Sequence, residues 1–167
     1  NASKYYSVNK HVEDRYVEIV AEHCKEKKLL EYGCGTGSHS IKWLELNAQL
    51  SGIDISSEGI EKAKEDISKT HYKADYYIMD AENTDFTDNA FDLVVGTGIL
   101  HHLDILNSCK EISRILNEDG HAIFIEPLGH NPLINLYREL TPGMRTKDEH
   151  PIKINDFKLM EQYFHDV

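Results

Sequence analysis

Leu29-Leu30-Glu31-Tyr32-Gly33-Cys34-Gly35-Thr36-Gly37 is the stretch that decides the fold. Lys28 to Tyr32 reads as a short buried strand, and the periodic run from Ser38 to Leu46 reads as a helix. Between them every second residue is glycine, which removes the Cβ atoms that would keep another molecule off the backbone. A strand, a glycine turn and a helix N-terminus together make a cradle of the nucleotide-binding kind. The spacing is G-x-G-x-G, not the G-x-G-x-x-G of dinucleotide folds, and Glu31 stands two positions before the first glycine.

Outward from this cradle, strand and helix patterns alternate. Val12, Tyr16, Ile19, Val20 and Cys24 recur at helical spacing and predict an amphipathic helix before the first strand. Gln49 to Asp54 predicts a second strand ending on an acid. Ser56 or Ser57 is placed to cap a helix with Ile60, Ala63, Lys64 and Ile67 along one side. Asp75 to Met79 gives a third strand, with Asp80 at its end, and Phe91 to Val95 a fourth, apolar enough to be buried on both faces. Asp104 caps a helix running to about Leu116, Asn117-Glu118-Asp119-Gly120 is a turn, and His121 to Ile125 is the fifth strand. Such alternation implies right-handed crossovers and a parallel sheet. All four prolines (127, 132, 142 and 151) follow Glu126. Residues 127–151 are therefore expected to form an extended lid with a short helix around Leu133 to Glu139, before a final helix from about Asn155 to Tyr163.

Bulk properties narrow the class. A chain of 167 residues with ordinary globular composition suits one domain, residues 1–167. A net charge of −11 argues against nucleic acid as partner. No apolar run approaches the roughly 20 residues of a membrane span. Cys24, Cys34 and Cys109 are unclustered and lack metal-ligand spacing, which points to a reducing, cytoplasmic setting. Ten histidines form no H-E-x-x-H or H-x-x-E-H pattern, so no bound metal is expected.

In an open α/β sheet, ligands bind beyond the carboxyl ends of the strands. Glu31 to Gly37, Asp54, Asp80 and Gly96 to His102 all fall at such ends. Asp54, about 20 residues past the glycines, is placed to accept both ribose hydroxyls of an adenosine. Asp80 would accept the adenine amine and the Ala81 N–H would face a ring nitrogen, with Ile55 and Met79 as apolar walls. Asp54 and Asp80 each have a second reading as caps of the helices that follow. Glu31 discriminates among ligands, because a carboxylate there repels pyrophosphate and favours an ammonium. The expected ligand has an adenosine and an amino-acid end, and no phosphates. An NAD-type oxidoreductase is the rival, but its third glycine would fall on Ser38 and Glu31 would stand beside phosphates.

Together with Gly-Ile-Asp-Ile-Ser at 52–56, Asp-Ala-Glu at 80–82, Phe-Asp-Leu-Val-Val at 91–95, Leu-His-His-Leu at 100–103 and Leu-Asn-Glu-Asp-Gly at 116–120, the glycine stretch resembles a known family. Residues 28–126 are similar to the class I S-adenosylmethionine-dependent methyltransferases, closest to the small-molecule branch that includes quinone-type and other metabolite enzymes. The resemblance implies an α/β Rossmann-like, doubly wound, mainly parallel sheet with helices on both faces and strand order 3-2-1-4-5. It also implies S-adenosylmethionine as methyl donor, S-adenosylhomocysteine as product and a small-molecule acceptor. Gly33, Cys34, Gly35 and Gly37 would cradle the methionine part, with Glu31 nearby. Asp54 would hold the ribose, Ile55, Asp80 and Ala81 the adenine, and the backbone near Thr97 the sulfonium side. The family's sheet goes on to an antiparallel hairpin beside the fifth strand, and the sequence stops before it. The expectation is a C-terminally incomplete domain with an uncovered strand edge, an association liability that leaves a homo-oligomer open.

Methyl transfer is an in-line displacement in which the protein aligns and desolvates the reactants. A general base is needed only where the acceptor carries a proton, and His101, His102 and Glu126 are the candidates. Adjacent side chains point in different directions, so at most one histidine is expected to face the cofactor mouth, and a structural role at a helix start is the alternative for both. Glu126 is placed either to touch a substrate or to accept N–H groups of the lid. Arg138, Arg145 and His150 are candidates for binding an acidic substrate, and Tyr5 and Tyr6 for folding over the cofactor or packing on the sheet. A cofactor-binding regulatory module without methyl transfer would keep the same glycine loop and is the second functional class.

Overall fold

The computed structural model describes residues 2–129 and 150–167, with residues 2–9 as backbone only. In chain order the elements are α1 (Ala2–His23), β1 (Lys28–Tyr32), α2 (Ser40–Glu45), β2 (Gln49–Asp54), α3 (Ser57–Ser68) and β3 (Asp75–Ile78). They continue with β4 (Phe91–Thr97), a 3-10 turn (Leu100–His102), α4 (Ile105–Ile115), β5 (Leu116–Ile125) and α5 (Ile154–Met160). The strands lie in the order β3-β2-β1-β4-β5 and every neighbouring pair is parallel, the order expected. The direction of winding reverses between β1 and β4, which opens a crevice at their carboxyl ends.

Strand periodicity divides the core between the two faces. Leu29, Leu93 and Val95 pack on one side with Tyr16, Val20, Trp43 and Ile60. Leu30, Ile53 and Val94 pack on the other with Ile105, Cys109, Ile112 and Ile115. Alternate residues of β1 and β4 thus serve opposite cores, and both strands are buried on both faces. Helix starts follow the expected caps. The Ser56 hydroxyl accepts from Gly59 N–H at 3.1 Å, and Asp104 accepts from Asn107 N–H at 2.8 Å.

Several boundaries differ from the sequence expectation, β4 among them, which runs on to Thr97. The first helix after the cradle begins at Ser40, because Gly37 N–H bonds Cys34 O at 2.8 Å and Ser40 N–H bonds Gly37 O at 3.1 Å, spending residues 34–40 on turns. β3 ends at Ile78, so Asp80 lies in the loop beyond it. β5 begins at Leu116, and its register against β4 jumps from Phe91↔Leu116 to Leu93↔His121. The expected turn at Asn117 to Gly120 is therefore a bulge within the strand. The last helix is shorter than expected, Ile154–Met160.

Leu128 and Ile152 form a parallel bridge. Gly129 N–H donates to Ile152 O at 2.8 Å and Ile152 N–H to Pro127 O at 3.2 Å. The residues that flank segment 130–149 are thereby fastened to each other. The expected helix at 133–139, Arg138 and Arg145 lie outside the described residues, as do the side chains of Tyr5 and Tyr6. Among the described residues no helix is long and apolar enough to cross a membrane.

Candidate functional site

All three glycines of the turn have left-handed backbone, with φ of +72° at Gly33, +52° at Gly35 and +75° at Gly37. Only Gly35 faces open space, since a Cβ there would meet nothing within 4 Å. A Cβ on Gly33 would fall 2.6 Å from Ile99 Cγ1, and one on Gly37 would fall 3.0 Å from Ser40 Oγ. The expectation that every glycine clears room for another molecule is thus corrected: two of them accommodate the protein's own side chains. Cys34 N–H bonds Ile53 O at 2.8 Å, and the Asp54 carboxylate accepts from Gly35 N–H at 2.7 Å and Ser56 N–H at 2.8 Å. Asp54 therefore stiffens the turn, and each of its oxygens keeps acceptor capacity. It does not cap α3, a task that falls to Ser56.

Glu31 lies beneath this turn and is 5% exposed. Its Oε2 accepts from the Ser40 hydroxyl at 2.6 Å, and no basic side chain pairs with it among the described residues. Burial pushes its carboxyl up to about 7, against the opposing effect of the Ser40 bond. A cationic group brought by a ligand would supply the missing counter-charge. Cys34 is buried next to it, and burial together with the Glu31 and Asp54 charges pushes its thiol up to about 12, which leaves it unreactive.

The loop after β3 is pinned from several sides. Asp80 is exposed and accepts from Glu82 N–H at 2.9 Å, a local turn rather than a helix cap. The buried Ala81 offers its carbonyl to the Tyr32 hydroxyl. Glu82 accepts from Asp104 N–H at 2.9 Å, which ties the loop to the start of α4. Glu111 accepts from the Thr84 N–H at 2.8 Å and hydroxyl at 2.5 Å, while Arg114 bridges Glu111 at 2.6 Å, Asp88 at 2.8 Å and Phe86 O at 2.7 Å. No local sequence pattern pointed to this network, which joins residues about one crossover apart. Ile55, directly after Asp54, is 79% exposed. Gly35 and Thr36 also border a hollow of about 490 Å³ against α3, lined by Ser56, Glu58, Glu61 and Lys62 among others.

At the mouth of the crevice, Thr97 ends β4 exposed, near the buried Tyr16 of α1. Glu126 follows β5, half-buried, with its carboxylate turned inward. Its Oε1 accepts from Ile99 N–H and Leu100 N–H at 2.8 Å each, and its Oε2 meets His101 N–H at 3.4 Å and His101 Nδ1 at 2.7 Å. Among the described residues, the acceptor directions of this carboxylate go to the 3-10 turn. Glu126 holds the turn in place and orients His101. The two histidine rings do not diverge as expected. Their centroids lie 4.0 Å apart at 40°, with the His101 ring bonded to Glu126. His101 is buried and His102 exposed. The lid meets this turn at one described point, where His150 N–H donates to His101 O at 2.8 Å.

The Methyltransferase domain family matches residues 30–124, from the middle of β1 to the end of β5. The chain belongs to this family. Within it, the chain is 36% identical over 105 residues to a ubiquinone biosynthesis O-methyltransferase of Pelagibacter ubique, covering 62% of this chain and 43% of that protein. It is 30% identical over 136 residues to a malonyl-[acyl-carrier protein] O-methyltransferase of Buchnera aphidicola, covering 78% and 52%. The chain spans about half the length of the curated relatives it matches. Among solved structures it shares its fold with phosphoethanolamine N-methyltransferase 2 of Haemonchus contortus, a complex with S-adenosyl-L-methionine. That match has a TM-score of 0.76 at 20% identity, over 90% of this chain and 36% of the other.

Proposed function

We propose that this chain binds S-adenosylmethionine and directs its methyl group to a small-molecule acceptor, leaving S-adenosylhomocysteine. The observation that carries the reading is a buried carboxylate, Glu31, with no basic partner among the described residues, next to a glycine turn in which Gly35 faces open space. That arrangement fits a ligand whose end is an ammonium and does not fit a pyrophosphate. Family membership supports the same ligand.

In this reading Glu31 binds the ammonium, and the remaining lone pairs of Asp54 accept the ribose hydroxyls. Ala81 N–H and Asp80 face the adenine edge, in a loop held rigid by Tyr32, Glu82 and the Glu111–Arg114 network. Ile55, exposed directly after Asp54, and Met79 cover the base faces. The backbone at Thr97 lies along the reacting side. Bound there, S-adenosylmethionine supplies an electrophilic methyl group. The chain's own work is to align an acceptor against it and keep water out. Where the acceptor carries a proton, His101 is the group to take it, because Glu126 holds Nδ1 and leaves Nε2 as the proton-accepting nitrogen. Glu126 itself is a positioning residue, and the exposed His102 is left to a surface role. A cytoplasmic setting suits both the buried, unpaired thiols and a metabolite acceptor.

The test is formation of S-adenosylhomocysteine on incubation with S-adenosylmethionine and a panel of phenol, carboxylate and amine acceptors. Product that depends on an acceptor is the expected result. Binding of S-adenosylhomocysteine without turnover of any acceptor would favour a regulatory module, and no binding at all would defeat the reading.

A further inference from the structure

Glu31, Gly52 and Tyr76 occupy one row across three parallel strands. Glu31 pairs with Gly52 in the β1–β2 register, and Gly52 with Tyr76 in the β2–β3 register. The middle position carries no side chain, and a Cβ there would fall 2.7 Å from Tyr76 Cδ1. The absent side chain lets the Tyr76 ring lie across β2 instead of standing over its own strand. Its hydroxyl then reaches the underside of the glycine turn, 3.3 Å from where a Cβ on Gly37 would sit. Ser40 meets it there. The Ser40 hydroxyl gives its one proton to Glu31 Oε2, and its oxygen lies 3.0 Å from the same Cβ position on Gly37, beside the Tyr76 phenol. All three side chains are buried. One oxygen of Glu31 is thus occupied, and the other has no hydrogen-bond partner among the described residues.

We propose that Ser40 and Tyr76 are positioning residues that dedicate Glu31 to a ligand's ammonium group, and that they make the cradle select adenosine ligands carrying an amino-acid end. This rests on the cofactor reading above. The groups facing Glu31 are Tyr16 from α1, Cys34 from the turn, Ser40 from α2 and Tyr76 from β3, with Asp54 beyond Cys34. They are hydroxyls, a thiol and an acid, and none can neutralise the carboxylate. The ligand has to do so. Burial places the carboxyl of the unliganded site at about 7, so an ammonium ligand loses affinity as the pH drops below that value. A ligand without the ammonium does not need the charge. Removing the Ser40 bond raises the carboxyl further and moves the loss to higher pH.

The experiment is calorimetric titration of the chain with S-adenosylhomocysteine and with 5′-methylthioadenosine, which shares the adenosine but lacks the amino-acid end, between about pH 5.5 and 8.5. Affinity for the first is expected to fall by up to about 10-fold per pH unit below about 7, while the second stays flat to about twofold. Ser40→Ala should weaken S-adenosylhomocysteine binding about 3- to 10-fold at neutral pH, shift its profile to higher pH and leave 5′-methylthioadenosine unaffected. Ser40→Thr should restore the wild-type profile. Tyr76→Phe, which keeps the ring over Gly52, should shift it in the same direction by a smaller amount. Parallel pH profiles for the two ligands, or equal weakening of both by Ser40→Ala, would overturn the assignment of Ser40 and Tyr76 while leaving the cofactor reading intact. Failure of either ligand to bind the wild-type chain would overturn both.

Discussion

Glu31→Gln should make the unliganded protein more stable at alkaline pH while depriving it of its ligand. The carboxyl is buried and pushed up to about 7 from an ordinary 4.5. At about 1.4 kcal/mol per pH unit, that difference corresponds to roughly 3 kcal/mol. The folded chain holds this proton more tightly than the unfolded chain. Stability from the protonated group is therefore fully present below about 4.5, and is lost as the pH rises through about 7. Glutamine keeps an oxygen for the Ser40 hydroxyl and cannot ionise, so the variant lacks this slope. The stability difference between variant and wild type should grow by about 2–4 kcal/mol between about pH 5 and pH 8. Urea unfolding at both pH values, followed by circular dichroism with slopes checked for equality, measures it. S-adenosylhomocysteine added at pH 8 should stabilise the wild type and not the variant, a trade of stability against function. A gap that stays constant to about 0.5 kcal/mol across the range would show that Glu31 is not a buried, uncompensated carboxyl.

Three other perturbations follow from the same geometry. Asp54→Ala removes the acceptor for two backbone N–H groups and for the ribose, and should weaken S-adenosylhomocysteine binding by about 10-fold or more; unchanged affinity in calorimetry would end the ribose assignment. Glu126→Ala strands the N–H groups of Ile99, Leu100 and His101, and should cost about 2–4 kcal/mol in urea unfolding; a loss under about 1 kcal/mol would contradict its role as the brace of the turn. Although burial pushes the Glu111 carboxyl up, the bonds from Arg114 and Thr84 outweigh it and hold the group below its ordinary range. Its contribution is present above about 4.5 and lost as the pH falls through the lowered value, so the roughly 1–3 kcal/mol by which Arg114→Met destabilises at neutral pH should shrink in acid. A gap independent of pH would count against it.

What could be read from the sequence was local. β1 and β2 have the expected bounds because each is a run of apolar residues closed by a turn signal, and Ser56 and Asp104 cap where a short polar acceptor precedes a helical pattern. The sheet order was what the family resemblance implied, and the parallel pairing bears it out. Long-range contacts were less legible. Glu126 stands 27 residues from Ile99, and nothing near it in the chain announces a carboxylate that will collect the N–H groups of another loop. Ser40 and Tyr76 are ordinary residues in their own segments and gain meaning only from the register that aligns Glu31, Gly52 and Tyr76. A glycine in the middle of a strand was the available signal for that row, since it marks a place where another group comes close. The third glycine of the turn carried a second signal. Its spacing indicated a ligand loop, yet the side chain it makes way for is Ser40.

The most direct test of the account is a pair of calorimetric titrations of the wild-type chain at neutral pH, one with S-adenosylhomocysteine and one with NADH. An ammonium-selective cradle over Glu31 predicts one S-adenosylhomocysteine per chain, with a Kd of about 1–100 µM and no measurable heat from NADH. Saturable NADH binding in that range, with none for S-adenosylhomocysteine, would contradict it.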